Sequence, residues 1–354
     1  MLHLIDLNDW PLQDVTDILN LAKNIMQSPD DYMDVCRGKI MASLFYEPST
    51  RTQMSFQAAM LRLGGQVIGF DNPVNSSISK GENLKDTIKI VSGYTDILVV
   101  RNPVEGSAKA ASVFSNCPVI NAGDGGHLHP TQTLLDLFTL LEEKGTLNGL
   151  KIGFCGDLKN GRTVHSLIKA MTRYQGNQFY LISTEALAIP YYIKEIIDNA
   201  NCTYTEVRSL EEVIPELDIL YMTRIQKERF SSEQEYNEQK KVYILDKCKM
   251  NKAKLGLKVL HPLPRVDEIA IEVDDDPRAV YFKQAVYGMY VRMALVMSMI
   301  RQEKIPDVSI DGEYRHVPCT NPYCITQQER YLPGLFEKNG DMLTCKYCDQ
   351  RRLI

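Results

Sequence analysis

The sequence predicts an α/β protein: two doubly wound parallel-sheet domains, followed by a small cysteine-rich module. Three observations carry this. Short apolar runs alternate with helical stretches from about residue 39 to about residue 285, the pattern of parallel strands covered by helices on both faces. The chain has 354 residues, more than one small domain holds. Four of its nine cysteines fall within the last 36 residues. The composition, 44% hydrophobic and 24% charged with net charge −5, is that of an ordinary globular chain and excludes a broadly basic nucleic-acid coat. No run approaches eighteen apolar residues, and Met1–Asp6 lacks the basic-then-apolar pattern of a leader. A cytoplasmic protein without membrane partners is expected.

The first unit is expected over 1–135, with strands at Ile40–Phe45, Gln66–Phe70, Asp96–Val100 and Pro118–Asn121. Met54, Ala58 and Leu61 share one face of a helix over Gln53–Leu63, which Gly64-Gly65 stops. A helix from near Pro130 to Gly145 is apolar on most sides and so belongs between layers. The second unit, 136–286, repeats the alternation. Strand Lys151–Cys155 leads to helix Arg162–Tyr174 and strand Gln178–Ile182. Ser209-Leu210-Glu211-Glu212 reads as a capping box opening a further helix. Strands Asp218–Met222 and Leu257–Leu260 follow, and a long apolar helix over 287–303 closes the series and returns to the first unit. Residues 304–312 read as a linker into the module at 313–354.

The chemistry-bearing segments follow strands. Tyr46-Glu47-Pro48-Ser49-Thr50-Arg51-Thr52 leads from strand to helix, where free backbone N–H groups converge. Three hydroxyls and a guanidinium there exceed what capping needs and make an anion cradle, most naturally for phosphate. It lacks the glycines and lysine of a P-loop. Asp71–Glu82 is a long polar loop containing Ser77 and Lys80, of the length that is functional or disordered. Gly123–Thr133 opens the buried helix with three glycines, placing His129 and Gln132 one turn apart. In the second unit, Gly156-Asp157-Leu158-Lys159-Asn160-Gly161-Arg162 lacks the dinucleotide-loop spacing, and Arg162 opposes the helix dipole, which favours an anionic partner. Tyr221–Arg229 brings further cations. Pro262 and Pro264 remove backbone donors around Leu263, so carbonyls face outward, ready for an N–H-bearing group. Arg51, Arg101, Arg162, Arg224 and Arg265, with Lys80 and His129, thus gather at strand ends in a net-acidic chain. This suits small, highly charged anions and catalysis by electrostatic positioning.

Phe-Tyr-Glu-Pro-Ser-Thr-Arg-Thr, His-Pro-Thr-Gln and His-Pro-Leu-Pro-Arg resemble the signature segments of the carbamoyltransferases. Gly-Asp-Leu-Lys-Asn-Gly-Arg-Thr-Val-His-Ser and Tyr-Met-Thr-Arg-Ile-Gln-Lys-Glu-Arg resemble the aspartate branch of that family, in order and spacing over roughly 1–305. The resemblance implies a carbamoyl-phosphate domain, an aspartate domain, an active site between them, and a homotrimer with shared sites. It implies that Ser49, Thr50, Arg51, Thr52 and Arg101 hold phosphate, and that Thr52, Arg101 and His129 polarise the carbamoyl oxygen. Gln132 and the carbonyls of Pro262 and Leu263 would take the carbamoyl NH₂. Ser77 and Lys80 would come from the neighbouring subunit. Arg162, Arg224 and Gln226, with Lys80, would hold aspartate, and Glu47 would latch the domains through Arg162 and Arg229. The reaction implied is carbamoyl phosphate plus L-aspartate to N-carbamoyl-L-aspartate and phosphate, in pyrimidine (UMP) synthesis, with no cofactor needed for catalysis. Gln53 and Gln57 depart from the Arg and Glu often found in the family; the paired loss keeps local charge balance.

In the module, Cys319 and Cys324 are separated by four residues and Cys345 and Cys348 by two, with twenty residues between the pairs. They form a closed set of four cysteines that reads as structural zinc. The segment resembles the zinc domain of the regulatory chain of some aspartate carbamoyltransferases, without that chain's nucleotide-binding half, so no nucleotide allostery is expected within the polypeptide. Lys346, Arg351 and Arg352 are too thin a footprint for nucleic acid. The alternatives are a carbamoyltransferase for ornithine or another amine, and a non-catalytic zinc-bearing scaffold.

Overall fold

The computed structural model describes residues 3–225, 232–234, 236, 243–301 and 318–353. The chain divides into two compact units: Met1–Thr131 with Gly288–Ile354, and Gln132–Tyr287. In the first, β1 (Ile40–Phe45), β2 (Gln66–Phe70), β3 (Ile97–Asn102) and β4 (Val119–Asp124) form a parallel sheet in the order β2-β1-β3-β4. Met41–Phe45 of β1 are buried on both faces, as a strand covered by helices must be. Helix α1 (Leu12–Gln27) buries Val15, Ile18, Leu19, Ala22 and Ile25, a 3.6-residue stripe that was legible in the sequence but not read there. Helices α2 (Thr50–Arg62), α3 (Leu84–Ser92) and α4 (Ser107–Phe114) follow β1, β2 and β3.

The division falls inside α5 (Pro130–Lys144), at Thr131/Gln132. In the second unit, β5 (Lys151–Cys155), β6 (Gln178–Ile182), β7 (Thr203–Val207), β8 (Ile219–Met222) and β9 (Lys258–Leu260) form a parallel sheet ordered β7-β6-β5-β8-β9. Its helices include α6 (Arg162–Met171), α7 (Tyr191–Asn199) and α8 (Lys247–Lys252). The helix expected after Ser209 does not form: Leu210–Glu212 is one 3-10 turn, and Ser209 makes no capping bond to it. Pro215 stands where the helix would need a backbone donor. The closing helix, α9 (Tyr281–Ile300), begins six residues earlier than its apolar run suggested. Its residues from Gly288 onward belong to the first unit, where the Arg292 guanidinium stacks 5.1 Å from the Phe56 ring. No helix among the described residues is long and apolar enough to cross a membrane.

The linker expected at 304–312 lies outside the described residues. The tail beyond it holds α10 (Ile325–Gln328) and an antiparallel sheet of β10 (Phe336–Asn339), β11 (Met342–Cys345) and β12 (Arg351–Leu353), strands not read from the sequence. It shares one apolar core with the first unit. Ile325, Leu332, Leu335, Phe336 and Tyr347 pack into the cluster that contains Leu84, Ile88, Ala110 and Ala111. Polar contacts register the two. Glu105 forms a parallel bridge with Cys324, with Glu105 N donating to Tyr323 O and Ile325 N donating to Glu105 O. Asn321 Nδ2 donates to Glu105 Oε2 at 2.6 Å. At the start of α3, Leu84 N donates to Glu329 Oε1 and Lys85 N to the Tyr331 hydroxyl, so the tail satisfies two helix-terminal amides.

Gly106 marks how close the tail approaches. Its φ is +83°, and a Cβ there would lie 2.6 Å from Tyr347 Cβ and 2.7 Å from Tyr347 O. Gly106→Ala therefore meets both an unfavourable backbone region and an overpacked contact, at a cost of about 1–3 kcal/mol. A melting temperature lowered by several degrees, read by calorimetry, is expected.

Candidate active site

All four strands of the first sheet run parallel, so the residues that follow them gather at one edge. Ser49 sits at the N-cap position of α2 but makes no side-chain cap bond, and no acidic residue occupies the helix's first turn. Thr52 is buried in that turn. Arg101, next to last in β3, pairs with Phe45, and its carbonyl accepts from Tyr46 N, so the guanidinium emerges next to the segment leading into α2. Burial and the nearby Arg101 charge both push the Arg51 pKa below the guanidinium norm. Arg101 is itself lowered by burial, against which Glu47 acts. Arg101 places one nitrogen 2.7 Å from Glu47 Oε1 and another 3.1 Å from Ala122 O, while its Nε is buried without a hydrogen-bond partner. Two neighbouring cations and an unsatisfied donor at a helix terminus without a side-chain cap are chemically suited to a dianion.

The loop from β4 to α5 carries His129, buried, with Nδ1 3.3 Å from the Thr131 hydroxyl. Asp124 organises this loop from within. Its carboxylate accepts from Gly106 N, Leu128 N and Asn121 Nδ2, and lies 3.1 Å from His127 Nδ1. Burial opposes charge on His127, but Asp124 and Asp349 outweigh it and raise its pKa to about 10. Ser77 and Lys80 lie on a short, exposed 3-10 turn after β2. The neighbouring Ser76 hydroxyl is used within its own turn, donating to Pro73 O and accepting from Ile78 N.

In the second unit the ends of β5, β8 and β9 are adjacent. Arg162 opens α6 after β5, and Arg224 follows β8. Arg224 lines a small cleft with Gly156, Thr223, Tyr236, Tyr243 and Glu268. Gln226 and Arg229 lie outside the described residues. After β9, His261 Nδ1 accepts from Leu263 N at 2.8 Å, so the ring proton sits on Nε2, 2.8 Å from Glu268 Oε1. Glu268 Oε2 accepts from Val266 N and Asp267 N. Leu263 has φ +52°, and neither its carbonyl nor that of Pro262 accepts a hydrogen bond among the described residues. Arg265, grouped with the strand-end cations on sequence, is engaged elsewhere: it pairs with Asp274 and the Tyr281 hydroxyl.

Sequence reasoning missed the carboxylates behind these groups. Gln132 Nε2 donates to Asp136 Oδ1 at 2.9 Å, and Asp136 also accepts from Tyr221 OH and Gln284 Nε2. The i, i+4 spacing of Gln132 and Asp136 on α5 was the available signal. Glu47, expected as a latch, lies against Arg101 in its own unit.

The family comparisons agree with this two-part layout. Residues 2–142 match the family described as aspartate/ornithine carbamoyltransferase, carbamoyl-P binding domain, and residues 148–299 match its Asp/Orn binding domain. The chain belongs to the aspartate/ornithine carbamoyltransferase family. An aspartate carbamoyltransferase catalytic subunit of Clostridium perfringens is 60% identical over 299 residues, covering 84% of this chain and 97% of that one. That of Clostridium novyi is 58% identical over 301 residues, 85% of this chain and 98% of that one. Among solved structures of the carbamoyltransferases, the catalytic subunit of M. jannaschii aspartate transcarbamoylase superposes with TM-score 0.81 at 46% identity, covering 85% of this chain and 98% of that one. A Trypanosoma cruzi aspartate transcarbamoylase in complex with carbamoyl phosphate and aspartate does so with TM-score 0.79 at 38% identity, covering 84% and 96%.

Residues 311–352 match the metal binding domain of the aspartate carbamoyltransferase regulatory chain. Cys319, Cys324, Cys345 and Cys348 are buried with their sulfurs all within 4.8 Å of one another. Cys319–Cys348 is 3.6 Å and Cys324–Cys345 is 4.0 Å. Four thiolates about 2.3 Å from a tetrahedral metal would be about 3.8 Å apart, so the set fits one. The Thr326 hydroxyl donates to Cys324 Sγ at 3.3 Å, as an outer partner of a thiolate ligand does.

His165, on α6 beside Arg162, is held neutral. Its Nε2 donates to Leu158 O and its Nδ1 accepts from the Tyr192 hydroxyl. Burial lowers its pKa from 6.5 to about 4. Below 6.5 the unfolded chain takes up a proton that the folded ring refuses, so this contribution to stability is lost as pH falls from 6.5 towards about 4. The melting temperature of the chain should exceed that of His165→Gln by less at pH 5 than at pH 7.

Proposed function

We propose that the chain transfers the carbamoyl group of carbamoyl phosphate to the amine of L-aspartate, releasing phosphate and N-carbamoyl-L-aspartate for pyrimidine (UMP) synthesis. One observation carries the reading: the crowded Arg51 and Arg101 cations, with the buried, unpartnered Arg101 Nε, call for a compact dianion. The aspartate carbamoyltransferase catalytic subunits that match over nearly their whole length supply the chemistry of the acceptor.

The phosphate of the donor takes the Ser49 and Thr50 hydroxyls, the first amides of α2, and the Arg51 and Arg101 guanidiniums, with Arg101 exchanging Glu47 for phosphate. Thr52, Arg101 and His129 polarise the carbamoyl oxygen. With the Thr131 hydroxyl donating to Nδ1, His129 offers its Nε2 proton, a donor and not the base. Gln132, its NH₂ occupied by Asp136, turns its carbonyl oxygen to the carbamoyl NH₂, as do the carbonyls of Pro262 and Leu263. Arg162, Arg224 and Gln226 grip the aspartate carboxylates with help from Lys80. The neutral amine attacks the carbonyl carbon, and the tetrahedral oxyanion develops against donors already in place. Collapse breaks the C–O bond to phosphate, and the departing phosphate accepts the amine's proton.

We read the assembly as a homotrimer in which Ser77 and Lys80 act across a subunit boundary. Their exposure supports this, as does exposed apolar surface on α2, the edge strand β2 and the following loop, at Met54, Leu61, Ile68 and Val74. The tail holds one structural zinc, which ties two chain segments together and supplies no catalytic step. A thiolate set of this kind suits the reducing cytoplasm.

Purified chain given carbamoyl phosphate with aspartate or ornithine in parallel should make carbamoyl-aspartate only. Arg101→Ala should lose about 10²–10³-fold in kcat/KM; an unchanged value would remove Arg101 from the site. Metal analysis should return one zinc per chain. Chelation should make the tail sensitive to protease before the second unit is cut.

A further inference from the structure

The tail reaches the loop that carries His129 by a route of charged side chains. His127 Nε2 lies 2.9 Å from Asp349 Oδ2, and its Nδ1 lies 3.1 Å from Asp124 Oδ2. Exposure falls along the series: the Asp349 side chain is 51% exposed, His127 12% and Asp124 1%. Asp349 follows Cys348 in the left-handed region, at φ 58°, and its amide donates to Cys345 O. It is therefore held by the turn that presents two of the four thiols. Asp124 closes the loop at the other end. Its side chain accepts from Leu128 N, its own amide donates to Leu128 O, and the two residues form an antiparallel bridge. The next residue is His129.

A second contact reaches the same carboxylate. Gly106 N donates to Asp124 Oδ2, and Gly106 packs on Tyr347 while its neighbour Glu105 bridges Cys324. Two lines of contact from the tail thus meet at Asp124. The loop needs such support, because Gly123, Gly125 and Gly126 hold three of its six positions from 123 to 128 and two of them have positive φ. It is anchored by the side chains of Asp124 and His127, by Asn121 Oδ1, which accepts from Gly123 N, and by the buried Leu128.

We propose that His127 is a positioning residue for carbamoyl transfer, fastening the His129 loop to Asp349 so that the metal-binding tail braces the catalytic loop from the same chain. The proposal rests on the carbamoyl-transfer reading of His129. Its consequence is specific. Loosening the clamp misplaces the His129 donor in the transition state while the aspartate carboxylate contacts, assigned to Arg162, Arg224 and Gln226 with help from Lys80, involve no residue of this loop and are untouched. It therefore affects kcat and leaves the KM for aspartate in place.

The test uses the full-length chain with its metal. His127→Asn, Asp349→Asn and the double variant are compared with the unaltered protein in kcat, KM for aspartate, metal content and hydrogen exchange of the amides of 121–129. The expected result is a 10–100-fold loss of kcat in each single variant, with KM for aspartate and metal content unchanged and exchange faster across the loop. The double variant should be no slower than the slower single, because both substitutions break one clamp. Unchanged kcat and exchange overturn the proposal, and so do losses that multiply in the double variant. A loss confined to protein that has shed metal overturns it too; His127→Asn, remote from the thiols in sequence, separates that case from damage next to Cys348. If the unaltered protein transfers no carbamoyl group, the functional reading fails, and loop exchange alone then decides the clamp: faster exchange in both single variants upholds it and unchanged exchange ends it.

Discussion

A guanidinium at the end of a central strand, buried and only partly satisfied, is the feature on which the first unit is organised. Arg101 emerges from β3 where the sheet ends, flanked by the segment that starts α2 and by the loop after β4. Burying such a charge costs several kcal/mol unless an anion or a full set of acceptors meets it. Glu47 and the Ala122 carbonyl meet part of the demand. Arg51 adds a like charge nearby, which raises the demand further. The parallel sheet makes this possible because it sends every strand to the same edge and hands each to a helix whose N-terminal amides face that edge.

The tail solves a different problem. A module of about forty residues is below the size at which a core stabilises itself. Four buried thiols clustered within 4.8 Å are placed to hold one metal, which would provide a local constraint, and the shared cluster with Leu84, Ile88, Ala110 and Ala111 provides the rest of the burial. The tail in turn completes the first unit by accepting from the amides of Leu84 and Lys85 at the start of α3. Each part covers backbone or apolar surface that the other would leave exposed.

The parallel-sheet alternation was legible because short apolar runs between helical stretches admit few other folds. The strand-end segments were legible for a related reason: hydroxyls and arginines at a strand–helix junction exceed what capping requires. Failures came where local pattern and tertiary context diverge. Ser209–Glu212 carries the letters of a helix start, but Pro215 ends it within one turn. Arg265 looked like its neighbours at strand ends until Asp274, nine residues on, claimed its charge. Glu105, Asn321, His127 and Asp349 are distant in sequence, so no spacing could announce their pairing.

The carboxylates Asp124, Asp136 and Glu268 are nearly or fully buried, and each stands behind a polar group of the candidate site. An ionised carboxylate only accepts hydrogen bonds, so it dictates which end of its partner faces inward. Asp136 takes the amide nitrogen of Gln132, which leaves the amide oxygen to face outward as an acceptor. Glu268 takes the Nε2 proton of His261, so that Nδ1 accepts from Leu263 N and the Leu263 carbonyl is left without a donor among the described residues. Asp124 takes the loop amides around His127 and sets the path into His129. The groups that would touch substrate are neutral or cationic, whereas the buried anions orient them from one layer further in. Electrostatic catalysis needs dipoles fixed before the charge develops, and these three acceptor-only residues fix them from behind, unlike Glu47, which lies on Arg101 itself.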